Sequence, residues 1–115
     1  MKTAARKIKA ARYLKIVEWS EADKCFIGRC PGLFHGGIHG DDEAGVYREL
    51  CEAAEEWVAI LEDDRKPLPA PTAGKTYSGK FAVRVDPALH QRAALKALVR
   101  GESLNQFVAH ALAEA

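Results

Sequence analysis

Residues 80–108, KFAVRVDPALHQRAALKALVRGESLNQFV, determine how the second half of this chain folds. The first seven of them alternate apolar side chains with polar or small ones, which is typical of a strand. Asp86 followed by Pro87 is a strong helix start, because aspartate caps a helix and proline suits its first turn. Gly101 predicts the end of that helix, and Ser103 predicts the cap of the next. The predicted order is strand, helix, glycine turn and helix.

The predicted strand has two different faces. Its apolar face is formed by Phe81, Val83 and Val85. A segment of this size buries too little apolar surface to fold alone, and a single strand needs a hydrogen-bonding partner. Pairing with the same strand of a second copy solves both problems, so the sequence predicts a homodimer or a higher oligomer. A two-stranded ribbon of this kind fits the major groove of double-stranded DNA.

Residues 78–112 resemble the ribbon-helix-helix DNA-binding fold, through the FxVRV strand, the Asp-Pro helix start and the GxSLNQFV second helix. The resemblance implies that the outward face of the strand reads base edges, with Lys80 and Arg84 donating to guanine and Ala82 touching a thymine methyl. Many relatives hold a polar residue at the middle position, so alanine departs from the pattern there. The resemblance also implies that the start of the second helix holds a DNA phosphate on its backbone N–H groups. The residues at that helix start are Ser103, Leu104 and Asn105.

The first half predicts a small antiparallel sheet with one helix packed on it, so the fold class is α+β. YLKIVEW (13–19) and CFIGRC (25–30) predict a hairpin, and LFHGGIHG (33–40) predicts a short third strand. Asp41 or Asp42 caps an amphipathic helix. The predicted apolar stripe of that helix consists of Tyr47, Leu50, Cys51, Ala54, Val58 and Leu61.

Charge and proline content divide the chain into regions, although the formal net charge is only +1. Residues 1–12 form a basic N-terminal arm, and its role is left open among disorder, an added strand and a DNA contact. Residues 41–64 are strongly acidic, and residues 65–77 carry alternating prolines that favour an extended linker. The predicted domains are therefore residues 1–64 and 78–115.

The whole arrangement resembles the HicB-type antitoxins. GDDEAGVYRELCEAAEEWV (40–58) resembles the Gly-Asp segment of that family and the acidic helix that follows it. The resemblance implies a first domain with a partial RNase H-like fold that binds and masks a HicA-like, RNA-cleaving toxin. It also implies that the ribbon-helix-helix end represses the promoter of the pair at an operator in double-stranded DNA. No carboxylate cluster fits a two-metal nuclease, so no enzymatic activity and no cofactor are expected.

CFIGRCPGLFHGGIHG (25–40) has the residue types of a metal site but not the spacing. A Cys2His2 zinc finger has about twelve residues between its cysteine pair and its histidine pair, whereas only four separate Cys30 from His35. A regular strand also directs Cys25 and Cys30 to opposite faces. The stretch therefore predicts scaffold, and His35 and His39 become candidates for the toxin-binding surface.

Two alternatives remain open from the sequence. One is a metal- or ligand-responsive ribbon-helix-helix repressor that uses the same cysteines and histidines, with Cys51 added, as its sensor. The other is an enzyme with a cysteine nucleophile, which is disfavoured because no third orienting group accompanies a cysteine and a histidine. The basic start lacks the apolar core of a secretory signal, and no apolar run approaches the roughly 18 residues of a membrane span. A cytoplasmic protein without membrane contact is expected.

Overall fold

The computed structural model describes residues 2–115, and it confirms the α+β class. The chain divides into two compact units, Met1–Thr76 and Tyr77–Ala115. None of the helices in the described range is long and apolar enough to cross a membrane. The elements in chain order are α1 (Lys2–Ala11), β1 (Ile16–Ser20), β2 (Cys25–Arg29), β3 (Ile38–Gly40), α2 (Glu43–Asp63), α3 (Pro87–Arg100) and α4 (Leu104–Ala113).

The first unit contains a three-stranded antiparallel sheet in the order β1-β2-β3. The predicted hairpin is present, but β1 begins at Ile16 rather than Tyr13, and β3 is confined to three residues. Val17 pairs with Gly28, and Gly28 pairs with Ile38. These three residues share one face of the sheet, because paired residues in adjacent strands point the same way.

Glycine at two positions of the sheet lets α2 approach the backbone closely. A Cβ added at Gly28 would lie 3.0 Å from Cγ1 of Val46, and one added at Gly40 would lie 2.8 Å from Cγ2 of the same residue. A side chain at Gly40 would force Val46 to move, and one at Gly28 would be tighter against Val46 than ordinary van der Waals contact. Val46 therefore fits against the sheet because both positions are glycine.

The core-facing stripe of α2 differs from the predicted one by one residue at its start. The buried residues of the helix are Val46, Leu50, Ala54 and Val58. Tyr47, which the sequence placed on this stripe, is 50% exposed. Helical spacing places both Val46 and Tyr47 beside Leu50, and the two sheet glycines give Val46 the space to pack. Tyr13, Cys30 and Leu33 complete the buried cluster together with Ala10 of α1.

The basic N-terminal arm is a helix in this structure. The sequence left open disorder, an added strand and a DNA contact, but not a helix. The α1 helix packs on α2, and its side chains contact the acidic end of that helix. Arg6 pairs with Glu62 and with Asp63, and Lys9 pairs with Glu62. Glu62 and Asp63 at the end of α2 are therefore held in ion pairs with α1.

The proline-rich segment is also held in place over part of its length. The hydroxyl of Tyr13 donates to the carbonyl oxygen of Pro69. The N–H of Thr72 and the N–H of Ala73 donate to the carbonyl oxygen of Arg12, at 3.1 and 2.9 Å. Residues 69–73 thus belong to the first unit by their hydrogen bonds as well as by their place in the chain.

Candidate nucleic-acid interface

The two helices of the second unit begin and end where the sequence predicts. The Asp86 side chain accepts a hydrogen bond from the N–H of Leu89 at 2.9 Å, with Pro87 in the first turn. Gly101 adopts the left-handed conformation, at φ 69° and ψ 25°, and ends α3. A side chain with a Cβ is disfavoured in this conformation, so glycine is the suitable residue here. These local signals fix the relation between the two helices of the pair.

Ser103 caps α4 in a reciprocal arrangement. Its hydroxyl accepts a hydrogen bond from the N–H of Gln106 at 3.1 Å, and the Gln106 side chain accepts one from the N–H of Ser103 at 2.9 Å. This capping box satisfies two of the N–H groups that a helix start leaves without partners. The remaining N–H groups of the first turn, together with the helix dipole, favour an anion at this end of α4.

Residues 80–86, predicted as a strand that pairs with a second copy, do not form a hydrogen-bonded strand in the single chain. Residues 80–86 have no regular secondary structure, because no second strand within residues 77–115 pairs with them. Phe81 is 71% exposed and Val83 is 65% exposed. The alternating apolar face is therefore present in sequence, but the helices of its own chain do not cover it.

The second unit buries almost nothing by itself. Of residues 77–115, Ala97 alone is buried. An open groove of about 1060 Å³ runs between the segment that precedes α3 and the two helices. Its apolar lining consists of Phe81, Val83, Val85, Leu89, Ala93, Leu104, Val108, Ala109 and Leu112. A unit of 39 residues with an open apolar groove of this extent buries little core of its own.

Four of the six predicted DNA-binding residues line this one groove. Lys80 and Arg84 contribute from the segment before α3, and Leu104 and Asn105 contribute from the start of α4. Ala82 and Ser103 are exposed but do not line it. The groove lining contains no acidic residue.

One acidic side chain stands beside the helix start. Glu102, which precedes Ser103, has its Oε1 atom 3.0 Å from Nδ1 of His110. The other carboxylate oxygen, Oε2, is buried and accepts no hydrogen bond from residues 2–115.

The cysteines and histidines of residues 25–40 do not converge. Cys30 is fully buried in the core, Cys25 is half-buried, and His35 and His39 are exposed. Burial raises the pKa of the Cys30 thiol, which disfavours the thiolate that binds metals. Within residues 2–115, no three side chains of His, Cys, Asp or Glu are grouped so that they could hold a metal ion.

An open pocket of about 270 Å³ lies beside the two histidines instead. Pro31, Phe34, His35 and His39 contribute to its lining, and the Phe34 ring stacks on Trp57 of α2 at a centroid distance of 5.9 Å. The sequence predicts a surface role for both histidines. The structure places them at the same exposed edge of the first unit.

The fold defines this chain as a small α+β protein whose second unit, a capped helix pair, has no core of its own. Comparison with models of protein families matches residues 63–112 to the HicB family. The match covers the end of α2, the proline-rich segment and most of the second unit, which together are less than half of the chain. No curated protein and no solved structure matches the chain.

Proposed function

We propose that this protein is the antitoxin of a HicA/HicB-type pair. In this proposal the first unit neutralises an RNA-cleaving, HicA-like toxin, and the second unit represses the promoter of the pair as a ribbon-helix-helix dimer. The observation that carries the proposal is the coreless second unit within the segment that matches the HicB family. No catalytic role and no cofactor are assigned to the chain.

Dimerisation follows from the exposed segment before α3. If residues 80–86 of two copies pair as antiparallel strands, their backbone groups gain the hydrogen bonds that the single chain lacks. Phe81, Val83 and Val85 then face the groove-lining residues of both copies and become buried. Apolar burial supplies the main driving force for such an association. The exposed fraction of Phe81 and Val83 supports this arrangement.

DNA binding follows from the other face of the same segment. Lys80, Ala82 and Arg84 are exposed and lie at alternate positions, so pairing as a regular strand would bring all three to one face of the ribbon, opposite its apolar face. Arginine and lysine donate to guanine O6 and N7 in the major groove. The N-terminus of α4, with Ser103, Leu104 and Asn105, supplies the phosphate contact that fixes the register of the ribbon.

Toxin binding is assigned to the first unit on grounds of charge. Glu62 and Asp63 are occupied by Arg6 and Lys9 of α1, so these two acids are not free for a partner. The outer face of α2 still presents exposed acids at helical spacing, Glu49, Glu52 and Glu56. An RNA-binding toxin is expected to be basic, and complementary charge speeds the association of the two proteins.

Two measurements test the proposal on the full chain. Fluorescence anisotropy with the DNA directly upstream of the protein's own gene is expected to give tight, salt-sensitive binding that random DNA of equal length does not match. Co-expression with a HicA-like toxin, sought in the neighbouring reading frames, is expected to relieve the growth arrest that the toxin causes. Failure of that toxin to bind, or equal affinity for random DNA, would overturn the corresponding half of the proposal.

A further inference from the structure

The α3 helix has a second apolar face that the groove does not use. Leu89 and Ala93 line the groove, and Ala97 on the same side is buried. Leu98 lies about 180° around the helix from Leu89, at 3.6 residues per turn. Leu95 and Val99 lie about 60° and about 100° further around the helix from Leu98, so the three residues share a sector of about 100° that faces away from the groove. We call Leu95, Leu98 and Val99 the outer α3 face.

The outer α3 face is strongly exposed. Leu98 is 73% exposed and Val99 is 88% exposed, and neither residue lines the groove. An occupant of the groove sits on the other side of α3, so it cannot cover these side chains. Three large aliphatic residues at adjacent helical positions form a contiguous patch, and such patches mark sites of protein interaction.

The positive charge next to the outer α3 face determines which kind of partner it favours. The α3 helix contains no aspartate or glutamate. Arg92 precedes Leu95 by three positions and Lys96 precedes Val99 by three, so both bases border the apolar face. A second copy of the same face would bring these like charges together, which is unfavourable.

We propose that the outer α3 face is a docking site for an acidic amphipathic helix of another protein. Aliphatic residues of that helix would pack between Leu95, Leu98 and Val99, as ridges of one helix fit the grooves of another. Acidic residues flanking its apolar stripe would pair with Arg92 and Lys96. This site is separate from the groove, the expected DNA contacts and the toxin-binding unit, so it does not depend on the proposed antitoxin function.

The test uses the full chain and a pair of labelled peptides. Each peptide is about 18 residues long, sufficient for helix formation, with leucines at helical spacing; one has glutamates beside the leucines and its twin has lysines. Fluorescence anisotropy is expected to show salt-sensitive binding of the acidic peptide and none of the basic twin. Val99→Glu and Leu98→Glu are each expected to weaken acidic-peptide binding by about tenfold or more, since a charge replaces an aliphatic group that the bound peptide would bury.

Two further variants define the outcome. Ile8→Glu places the same charge at an exposed aliphatic residue of α1, and it is expected to leave peptide affinity unchanged. Lys96→Glu is expected to weaken binding of the acidic peptide and to permit binding of the basic twin. Equal binding of the two peptides by the unmodified chain, or unchanged affinity in Val99→Glu, would overturn the proposal.

Variants at and beside the outer α3 face would also detect two other occupants, a second copy of the chain and a nucleic acid. If Val99→Glu lowers the oligomeric state in sedimentation without affecting peptide binding, a second copy occupies the face and the proposal is wrong. The same conclusion follows if Arg92→Ala and Lys96→Ala weaken DNA binding while peptide affinity stays constant, because the bases then serve the nucleic acid.

Discussion

The guanidinium of Arg6 in α1 contacts two carboxylates at the end of α2. Its Nε atom lies 3.1 Å from Oε1 of Glu62, and its Nη2 atom lies 2.9 Å from Oδ1 of Asp63. Lys9 contacts the other Glu62 oxygen. Acids in the last turn of a helix face the negative end of its dipole, and α2 has no base of its own in that turn. The bases of α1 offset this unfavourable placement.

The first prediction concerns the pH dependence of this contact. Hydrogen bonds from Lys9 and then Arg6 lower the pKa of the Glu62 carboxyl. Its stabilising contribution is therefore fully present above the unfolded pKa of about 4.3 and is lost as pH falls through the lower folded value. Glu62→Gln is expected to lower the thermal midpoint at neutral pH, and the difference is expected to vanish toward about pH 2. Circular dichroism melts across this range measure both effects.

The matched control is Glu56→Gln, at an exposed carboxylate of the same helix for which residues 2–115 supply no ion pair. It is expected to leave the midpoint nearly unchanged at every pH, since an exposed charge contributes little. Equal midpoints for Glu62→Gln and the unmodified chain at neutral pH would contradict a stabilising role for α1.

Local signals explain most of what could be predicted from the sequence. Asp42, Asp86 and Ser103 cap α2, α3 and α4, each through a hydrogen bond between residues three positions apart. The docking of α1 escaped prediction because it depends on charges more than fifty positions away. The helix itself had a signal, since residues 2–11 are rich in alanine, lysine and arginine, which favour helices.

Non-local geometry accounts for the other differences. The start of the α2 stripe at Val46 depends on glycines in two separate strands, which the helical period alone does not reveal. The segment before α3 has the alternation of a strand, yet no strand within residues 77–115 pairs with it. Of the six residues that the sequence predicts as DNA contacts, Lys80, Arg84, Leu104 and Asn105 line one groove. Sequence reasoning did not find the outer α3 face, although Leu95, Leu98 and Val99 have helical spacing.

The second prediction tests the close approach of α2 to the sheet. In Gly28→Ala the new methyl would lie 3.0 Å from Cγ1 of Val46 and 3.3 Å from Cδ2 of Leu50. Overpacking of this kind is expected to lower the free energy of unfolding by about 1–3 kcal/mol. Adding Val46→Ala removes the nearest obstacle, so the double variant is expected to lose less than the two single changes summed. Additive losses in urea denaturation would argue against the contact.

The third prediction addresses dimerisation. Val83→Asp introduces a charge on the apolar face of the segment before α3, where the second strand and the helices of a dimer would bury it. Sedimentation velocity is expected to show conversion to a monomer at concentrations where the unmodified chain is dimeric. Ile8→Asp is the matched control, because Ile8 is 66% exposed, nearly the same as Val83. A Val83→Asp protein that remains dimeric would rule out pairing through this segment.

The fourth prediction concerns base reading. Arg84→Ala and Lys80→Ala are each expected to cost about 1–3 kcal/mol of operator binding and to relax specificity at one base pair. Anisotropy titrations on a set of single-base operator variants measure both quantities. Arg48→Ala removes an exposed cation of α2 and is expected to leave specificity unchanged. If Arg84→Ala weakens binding to all sequences equally, Arg84 contacts phosphate rather than a base.

The fifth prediction separates the two roles of Ser103, the cap of α4 and the expected phosphate contact. Ser103→Ala removes the side-chain acceptor that holds the N–H of Gln106, and it is expected to cost about 1 kcal/mol of stability. Ser103→Asp restores an acceptor of equal capping strength, but it places a negative charge where the phosphate would bind. Its thermal midpoint is therefore expected to match that of the unmodified chain, while its operator affinity falls by about tenfold or more because like charges repel.

Thermal melts and anisotropy on the same preparations measure the two effects separately. Retention of full operator affinity in Ser103→Asp would exclude a phosphate at this helix start and leave Ser103 with the capping role alone.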